Sequence, residues 1–256
     1  MKIICTLGPS SYNSSVLKKL KFENVDIFRI NLSHTPAKDI LNKINFLKKL
    51  KIKNICIDTE GAQIRTSKVK NKIYLKKNKV VIISISNKNS NHKRINFYPN
   101  FNLMSCKINT KIKIGFEGLI LTVNKKNYKN NTLVTRVSEP GFLDSNKGAH
   151  LNQKISLPAL TEKDKYAIKL AKEKGIKFFA ISFVNKSNDL DLVKKLVPRK
   201  SFIISKIETK SALINLKKII IKSDALLIDR GDLSRYIPIE EIPVAQAEEA
   251  EEPPHE

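Results

Sequence analysis

Short apolar runs alternate with amphipathic stretches along this chain, in two blocks separated by a segment of different character. Over residues 1–65, "IICTLGP" is an apolar run ended by Gly8-Pro9, "SSVLKKLK" reads as a short helix, "VDIFRINLS" as a strand and "NICIDTEG" as a third strand. Before that third strand, Thr35 is placed to cap a helix with Pro36 at its first position, and Ile40, Leu41, Ile44 and Leu47 form its apolar stripe. Strands alternating with helices imply a parallel sheet, because parallel neighbours need a crossover between them. Residues 66–145 break the alternation. "KIYLKKNKVVIISIS", "TKIKIGFEGLILTV" and "NTLVTRV" are β-rich runs set apart by Asn, Lys and Gly turns, so this segment reads as a small all-β insertion.

From about residue 150 the alternation resumes. "TEKDKYAIKLAKEKG" carries a capping box, Thr161 with Asp164, and a terminal Gly175. "FFAISFV" is a strand, a helix from about 188 ends before Pro198, "SFIISKIE" is a strand, "SALINLKKIIIKS" one helix and "ALLIDRGDL" a sixth strand. The tail "AEEAEEPPHE" turns acidic and Lys-free, and reads as disordered. The expected organisation is 1–65 and 146–246 for the βα part, 66–145 for the β-rich insertion and 247–256 for the tail. A (β/α) barrel or a large doubly wound sheet fits this order.

Composition narrows the class. At 41% hydrophobic, 256 residues can bury a sizeable core. Lys and Arg number 48 against 24 Asp and Glu, a formal charge of +24, which favours anionic partners. The basic residues are scattered rather than gathered, aromatic content is 7% and no recognition motif appears, so nucleic-acid binding rests on charge alone and is not expected. Cys5, Cys56 and Cys106 form no CxxC pair and are odd in number, which points to reduced thiols. No apolar stretch is long enough for a membrane span, and "MKIICTLGPS" is too short for a signal peptide, so no membrane and a cytoplasmic location are expected.

The strand ends are polar. "FRINLSH" places Arg29, Asn31 and Ser33 on one strand face by the two-residue period. The third strand ends in Asp58-Thr59 with Arg65 shortly after, the fifth in Lys206 and Glu208, and the sixth in "DRGDLSR", where Gly231 allows close backbone approach beside Asp232. Taken alone, Lys206 and Glu208 read as a surface ion pair of little consequence. Four charged strand ends in succession instead indicate a site, since a barrel collects function at the C-terminal ends of its strands. Glu208 and Asp232 are hard oxygen donors suited to Mg²⁺, and Arg29, Arg65 and Lys206 suit phosphate oxygens. Asn31, Ser33 and Asp58 offer oxygens for a monovalent cation. These are the parts that phosphoryl transfer needs, and there is neither a P-loop nor a kinase-type glycine loop.

"CTLGPSS", "FRINLSH", "DTEGAQIRT", "NKGAHLNQKISLPALTEKDK", "ISFVNKSND", "IISKIET" and "DRGDLSRYIPIEEIPVAQ" resemble, in order and spacing, the signature segments of the pyruvate kinase family. The likeness runs from about residue 2 to 246, and is most specific over 151–190 and 201–246. It implies an α/β fold, an incomplete (β/α)₈ TIM-type barrel with a small all-β lid inserted after strand three. It implies phosphoryl transfer from phosphoenolpyruvate to ADP, giving pyruvate and ATP, with Mg²⁺ (or Mn²⁺) and K⁺. By the same likeness Arg29 contacts the substrate phosphate and Lys206 stabilises the phosphoryl group in transit. Glu208 and Asp232 bind Mg²⁺, Asn31, Ser33, Asp58 and Thr59 form the K⁺ site, and Gly231 and Asp232 turn backbone N–H groups to the substrate carboxylate. Arg65 and Lys147 contact the nucleotide, with Asn31 and His34 alongside.

The sequence departs from the pattern in several places. "DTEGAQ" stands for the usual DTKGPE, "GFEGL" for a double-Asp turn, and Asp229 for a small residue before the RGD run. A seventh strand, bearing a threonine involved in protonating enolpyruvate, an eighth strand and a C-terminal domain are expected to be absent. Two rival readings follow: a relative acting on another enol-phosphate or sugar-acid substrate, which Asp229 favours, and a non-catalytic remnant. Open barrel edges imply a homo-oligomer or association through those edges.

Overall fold

The computed structural model describes residues 2–234, 236–241 and 243, so the tail 247–256 lies outside the described residues. Along the chain the strands are β1 (Ile4–Thr6), β2 (Ile27–Asn31), β3 (Ile55–Asp58), β4 (Arg65–Thr66), β5 (Ile73–Leu75), β6 (Val80–Ile85), β7 (Arg94–Tyr98), β8 (Lys111–Ile114), β9 (Leu119–Asn127), β10 (Thr132–Glu139), β11 (Gly141–Leu143), β12 (Ala149–Leu151), β13 (Phe178–Ile181), β14 (Phe202–Ile207) and β15 (Ala225–Ile228). The helices are α1 (Ser14–Phe22), α2 (Ala37–Lys49), α3 (Glu162–Glu173), α4 (Ser187–Leu196), α5 (Lys210–Ile214), α6 (Leu216–Ile220) and α7 (Arg230–Leu233). They sort into two compact units. One takes the chain up to Ala62 and again from Pro158, and the other is Gln63–Leu157.

In the first unit six strands lie in the order β1-β2-β3-β13-β14-β15, and every neighbouring pair is parallel. Helices connect them, which is the incomplete (β/α)₈ pattern. Strand residues alternate between two faces. Phe28, Ile30, Ile55, Ile57, Phe179, Ile181, Ile203 and Ile207 join the large core shared with the helices. Ile27, Cys56, Ala180 and Ile204 form a smaller cluster on the opposite face, with Leu227 packed against it. Burial on both faces explains why these strands read as continuous apolar runs. α2 contributes Ile40, Ile44 and Leu47, all fully buried at spacings that share one helix face. Each such burial is worth about 1.5–3 kcal/mol. α3 buries Ala167, Ile168, Leu170 and Ala171 behind its capping box, and Gly175 follows it at φ +63°. No helix of the described residues is long and apolar enough to cross a membrane.

Three local expectations are corrected. α2 starts at Ala37 with Pro36 as its cap, and Thr35 does not cap it. The Thr35 hydroxyl instead accepts from Lys43 Nζ at 3.3 Å. Ser33 does not continue the face of β2, because Leu32–His34 turns into a 3₁₀ helix. Asn31 Oδ1 accepts the Ser33 N–H at 2.8 Å and starts that turn. Finally, "SALINLKKIIIKS" is two short helices that meet at Asn215. The Asn215 amide donates to the Asn185 carbonyl at 3.0 Å, a tertiary bond that helical periodicity does not encode.

The second unit holds a seven-stranded sheet, β12-β8-β9-β10-β6-β7-β4, and the separate pair β11-β5. β6 and β7 are parallel and the other pairs antiparallel. Its core includes Leu75, Ile83, Phe97, Leu121 and Val137.

Candidate active site

The polar groups at the strand ends of the first unit follow from one rule. Five strands place a residue of the small inner cluster at one position and a polar residue two positions later. Ile27 precedes Arg29, Cys56 precedes Asp58, Ala180 precedes Ser182, Ile204 precedes Lys206 and Leu227 precedes Asp229. The two-residue period puts each pair on the same face, and the parallel register steps the second members across the sheet, with Arg29 opposite Cys56 and Lys206 opposite Leu227. Asn31 lies opposite Asp58, Asp58 opposite Ala180, and Ile207 opposite Ile228.

Lys206 is the centre of this group. Its Nζ lies 2.8 Å from Glu208 Oε1, 3.4 Å from Asp229 Oδ2 and 3.7 Å from Asp58 Oδ1. It also donates to Ser182 Oγ at 3.2 Å. Burial would lower the pKa of this ammonium, but Asp58 and Glu208 outweigh it and raise the value above that of an ordinary lysine. Glu208 follows β14 and is fully buried; its Oε2 accepts the Phe183 N–H at 2.6 Å. Burial pushes its carboxyl up to about 7, against the pull of Lys206.

Asp58, 1% exposed, stands between two cations, with Oδ2 at 3.6 Å from Arg29 Nη1. Burial raises its pKa and the attraction of Lys206 and Arg29 works against that rise. Arg29 is steadied by Nε donating to Thr6 Oγ1 at 2.7 Å, leaving its guanidinium half-buried at the strand ends. Thr59 is buried, and its carbonyl accepts the Ser182 hydroxyl at 2.6 Å.

Asp229 begins α7. Its Oδ1 accepts the Asp232 N–H at a long 3.4 Å, so that N–H faces the Asp229 carboxylate. Burial opposes ionisation of Asp229, but Lys206 overrides it and lowers its pKa. Carboxylate oxygens of Glu208, Asp229 and Asp232 lie within 4.8 Å of one another. These are hard oxygen donors on two chain segments, the end of β14 and the start of α7, with Glu208 buried, and they fit a divalent cation. Asn31 lies opposite Asp58 in the sheet, and its Oδ1 already accepts the Ser33 N–H. Gly231 lies in α7, and His34 is exposed in its 3₁₀ turn.

Arg65 and Lys147 belong to the second unit. Arg65 bridges to Gly148, and the Lys147 carbonyl accepts the Thr66 N–H at 2.9 Å, so these distant segments are neighbours there. Lys147 lines a shallow pocket with Phe116, Glu117 and Phe142, and its Nζ lies 3.8 Å from Asp144 Oδ2. Ser182 carries contacts to both Lys206 and Asp58, at 3.2 and 3.3 Å, and no motif in the sequence marks it. Its one signal was a hydroxyl two positions past Ala180 in an apolar run.

Residues 1–250 match the family model for the barrel domain of pyruvate kinase. The chain belongs to the pyruvate kinase family. Among the relatives of this pyruvate kinase-family chain, pyruvate kinase from Geobacillus stearothermophilus is 32% identical over 258 residues, covering 96% of this chain and 44% of that protein. Those from Staphylococcus saprophyticus and Staphylococcus aureus are 32% and 29% identical, with the same coverage. The chain thus spans under half the length of the curated pyruvate kinases it matches, and the match fixes its fold class as the barrel.

Proposed function

We propose that this chain performs pyruvate kinase-type phosphoryl transfer, moving a phosphoryl group from phosphoenolpyruvate to ADP. The supporting observation is the buried Lys206 ammonium, 2.8 Å from the carboxylate of Glu208, at the strand ends of a family-matched barrel unit. Asp58 and Ser182 hold Lys206 from behind, so its charge is fixed before the substrate arrives. A positioned cation of this kind stabilises charge on the phosphoryl oxygens without reorganising during transfer. Arg29 offers a guanidinium, suited to phosphate oxygens, that Thr6 and Asp58 already orient. Glu208 and Asp232 would hold Mg²⁺ or Mn²⁺, and Asn31, Ser33, Asp58 and Thr59 would hold K⁺. A bound divalent ion supplies Lewis-acid charge to the transferring group. Arg65 and Lys147, with Asn31 and His34, are proposed as nucleotide contacts. The Asp232 N–H proposed for the substrate carboxylate must first leave Asp229 Oδ1.

The test is pyruvate formation from phosphoenolpyruvate and ADP with and without Mg²⁺, in the chain as it stands and in Lys206→Met. The expected result is Mg²⁺-dependent turnover whose kcat falls roughly 100- to 1,000-fold in the variant, with KM little changed. A chain that neither forms pyruvate nor binds phosphoenolpyruvate with Mg²⁺ present overturns the reading. A variant with raised KM and intact kcat makes Lys206 a binding group only.

A further inference from the structure

Asp229 has no place in the roles proposed so far, yet it stands in the middle of them. β14 and β15 are paired with Ile207 opposite Ile228, so Glu208 and Asp229 leave adjacent strands at the same height. Asp232 follows one turn later on α7. The three carboxylates come within 4.8 Å of one another. Oxygens that share one six-coordinate ion are separated by about 2.9–4.2 Å for Mg²⁺, and by up to about 4.8 Å for the longer bonds of Ca²⁺. Separations under 4.8 Å are compatible with one divalent ion held by all three carboxylates.

Lys206 sits among the carboxylates of Asp58, Glu208 and Asp229, and that of Asp232 lies beside the last two. Of Glu208's two oxygens, Oε2 is taken by the Phe183 N–H, while Oε1 is buried with no hydrogen-bond partner, 2.8 Å from Lys206 Nζ.

We propose that Asp229 is a third carboxylate ligand of the divalent cation, alongside Glu208 and Asp232. This rests on the metal assignment proposed above. The alternative is that Asp229 only starts α7 and neutralises Lys206.

Mn²⁺ binding to the full chain, followed by electron paramagnetic resonance, separates the two. Mn²⁺ takes the same oxygen ligands as Mg²⁺. Asp229→Ala should weaken Mn²⁺ binding at least tenfold. It should also add one coordinated water, read from line broadening in ¹⁷O-enriched water. Asp229→Asn keeps an acceptor for the Asp232 N–H, so it serves if the alanine variant fails to fold, and it too should weaken Mn²⁺ about tenfold. Wild-type affinity in Asp229→Asn, or an unchanged water count in a folded Asp229→Ala, overturns the proposal. If Glu208→Gln loses Mn²⁺ while the Asp229 variants keep it, only this inference falls. If Glu208→Gln also binds normally, or the wild-type chain binds no Mn²⁺, the metal assignment falls with it.

Discussion

At Glu208, burial and pairing act in opposite directions, and burial prevails, holding the carboxyl up to about 7. A carboxyl that keeps its proton better in the folded chain stabilises the fold fully below its unfolded value of 4.5 and loses that contribution as pH rises through the folded value. Glu208's own contribution is therefore present at acidic pH and gone above about 7. Its size is on the order of 3 kcal/mol. The thermal midpoint of the metal-free chain should fall between these limits by more than that of Glu208→Gln, which cannot titrate. Parallel midpoint curves for the two proteins would remove Glu208 as the source. The pairing itself was legible, because Lys206 and Glu208 are two residues apart on a strand end and meet at 2.8 Å. Ser182 was not. Its contacts to Lys206 and Asp58 depend on which strands are neighbours, and a single hydroxyl in an apolar run carries no periodic signal. Asp229 stood out as a departure from the family pattern, but only the register of β14 against β15 brings it to Lys206.

The start of α3 does more than cap a helix. Asp164, fully buried, accepts the Thr161 N–H at 2.9 Å, the reciprocal half of the capping box. The same carboxylate accepts the Glu60 and Gly61 N–H groups at 2.8 and 3.2 Å, so it also holds the loop that follows β3. Glu60 answers in turn: one oxygen accepts the Thr161 hydroxyl at 3.0 Å and the other pairs with Lys163 at 2.5 Å. The glutamate that departs from the family pattern thus has partners built for it. Gly61 seals the arrangement, since at φ +67° a Cβ would sit 2.6 Å from the Ser182 carbonyl oxygen. Asp164→Ala strands three backbone donors and should destabilise the chain by roughly 3 kcal/mol, measured by urea unfolding. A loss under about 1 kcal/mol would mean the loop finds other acceptors. The capping box was readable from the "TEKD" spacing, since it is a local motif. The loop it holds was not, because residues 60 and 164 are joined only by the tertiary fold. The break between α5 and α6 was hidden for the same reason.

Across the whole sheet of the barrel unit, β1 and β15 are each paired on one side only among the described residues. Ile3 and Ile4 on the β1 side are 44% and 37% exposed. Unpaired strand edges of this kind recruit other chains. We predict concentration-dependent association over the micromolar range by sedimentation velocity, reduced in Ile4→Lys. A wild-type chain that stays monomeric throughout would show that these edges are protected. The strand order also sets a timetable for synthesis. β3 finds its second neighbour in β13, with Cys56 opposite Phe178, and the whole β-rich unit lies between them in the chain. A ribosome adds roughly 5–20 residues per second, so on the order of ten seconds pass before β13 emerges. During that wait Arg29 and Asp58 have been made and Ser182, Lys206 and Glu208 have not. The nascent chain carries two of the six charged groups of its cluster beside an open apolar strand, and what shields that strand in the interval decides how much polypeptide reaches the six-stranded sheet.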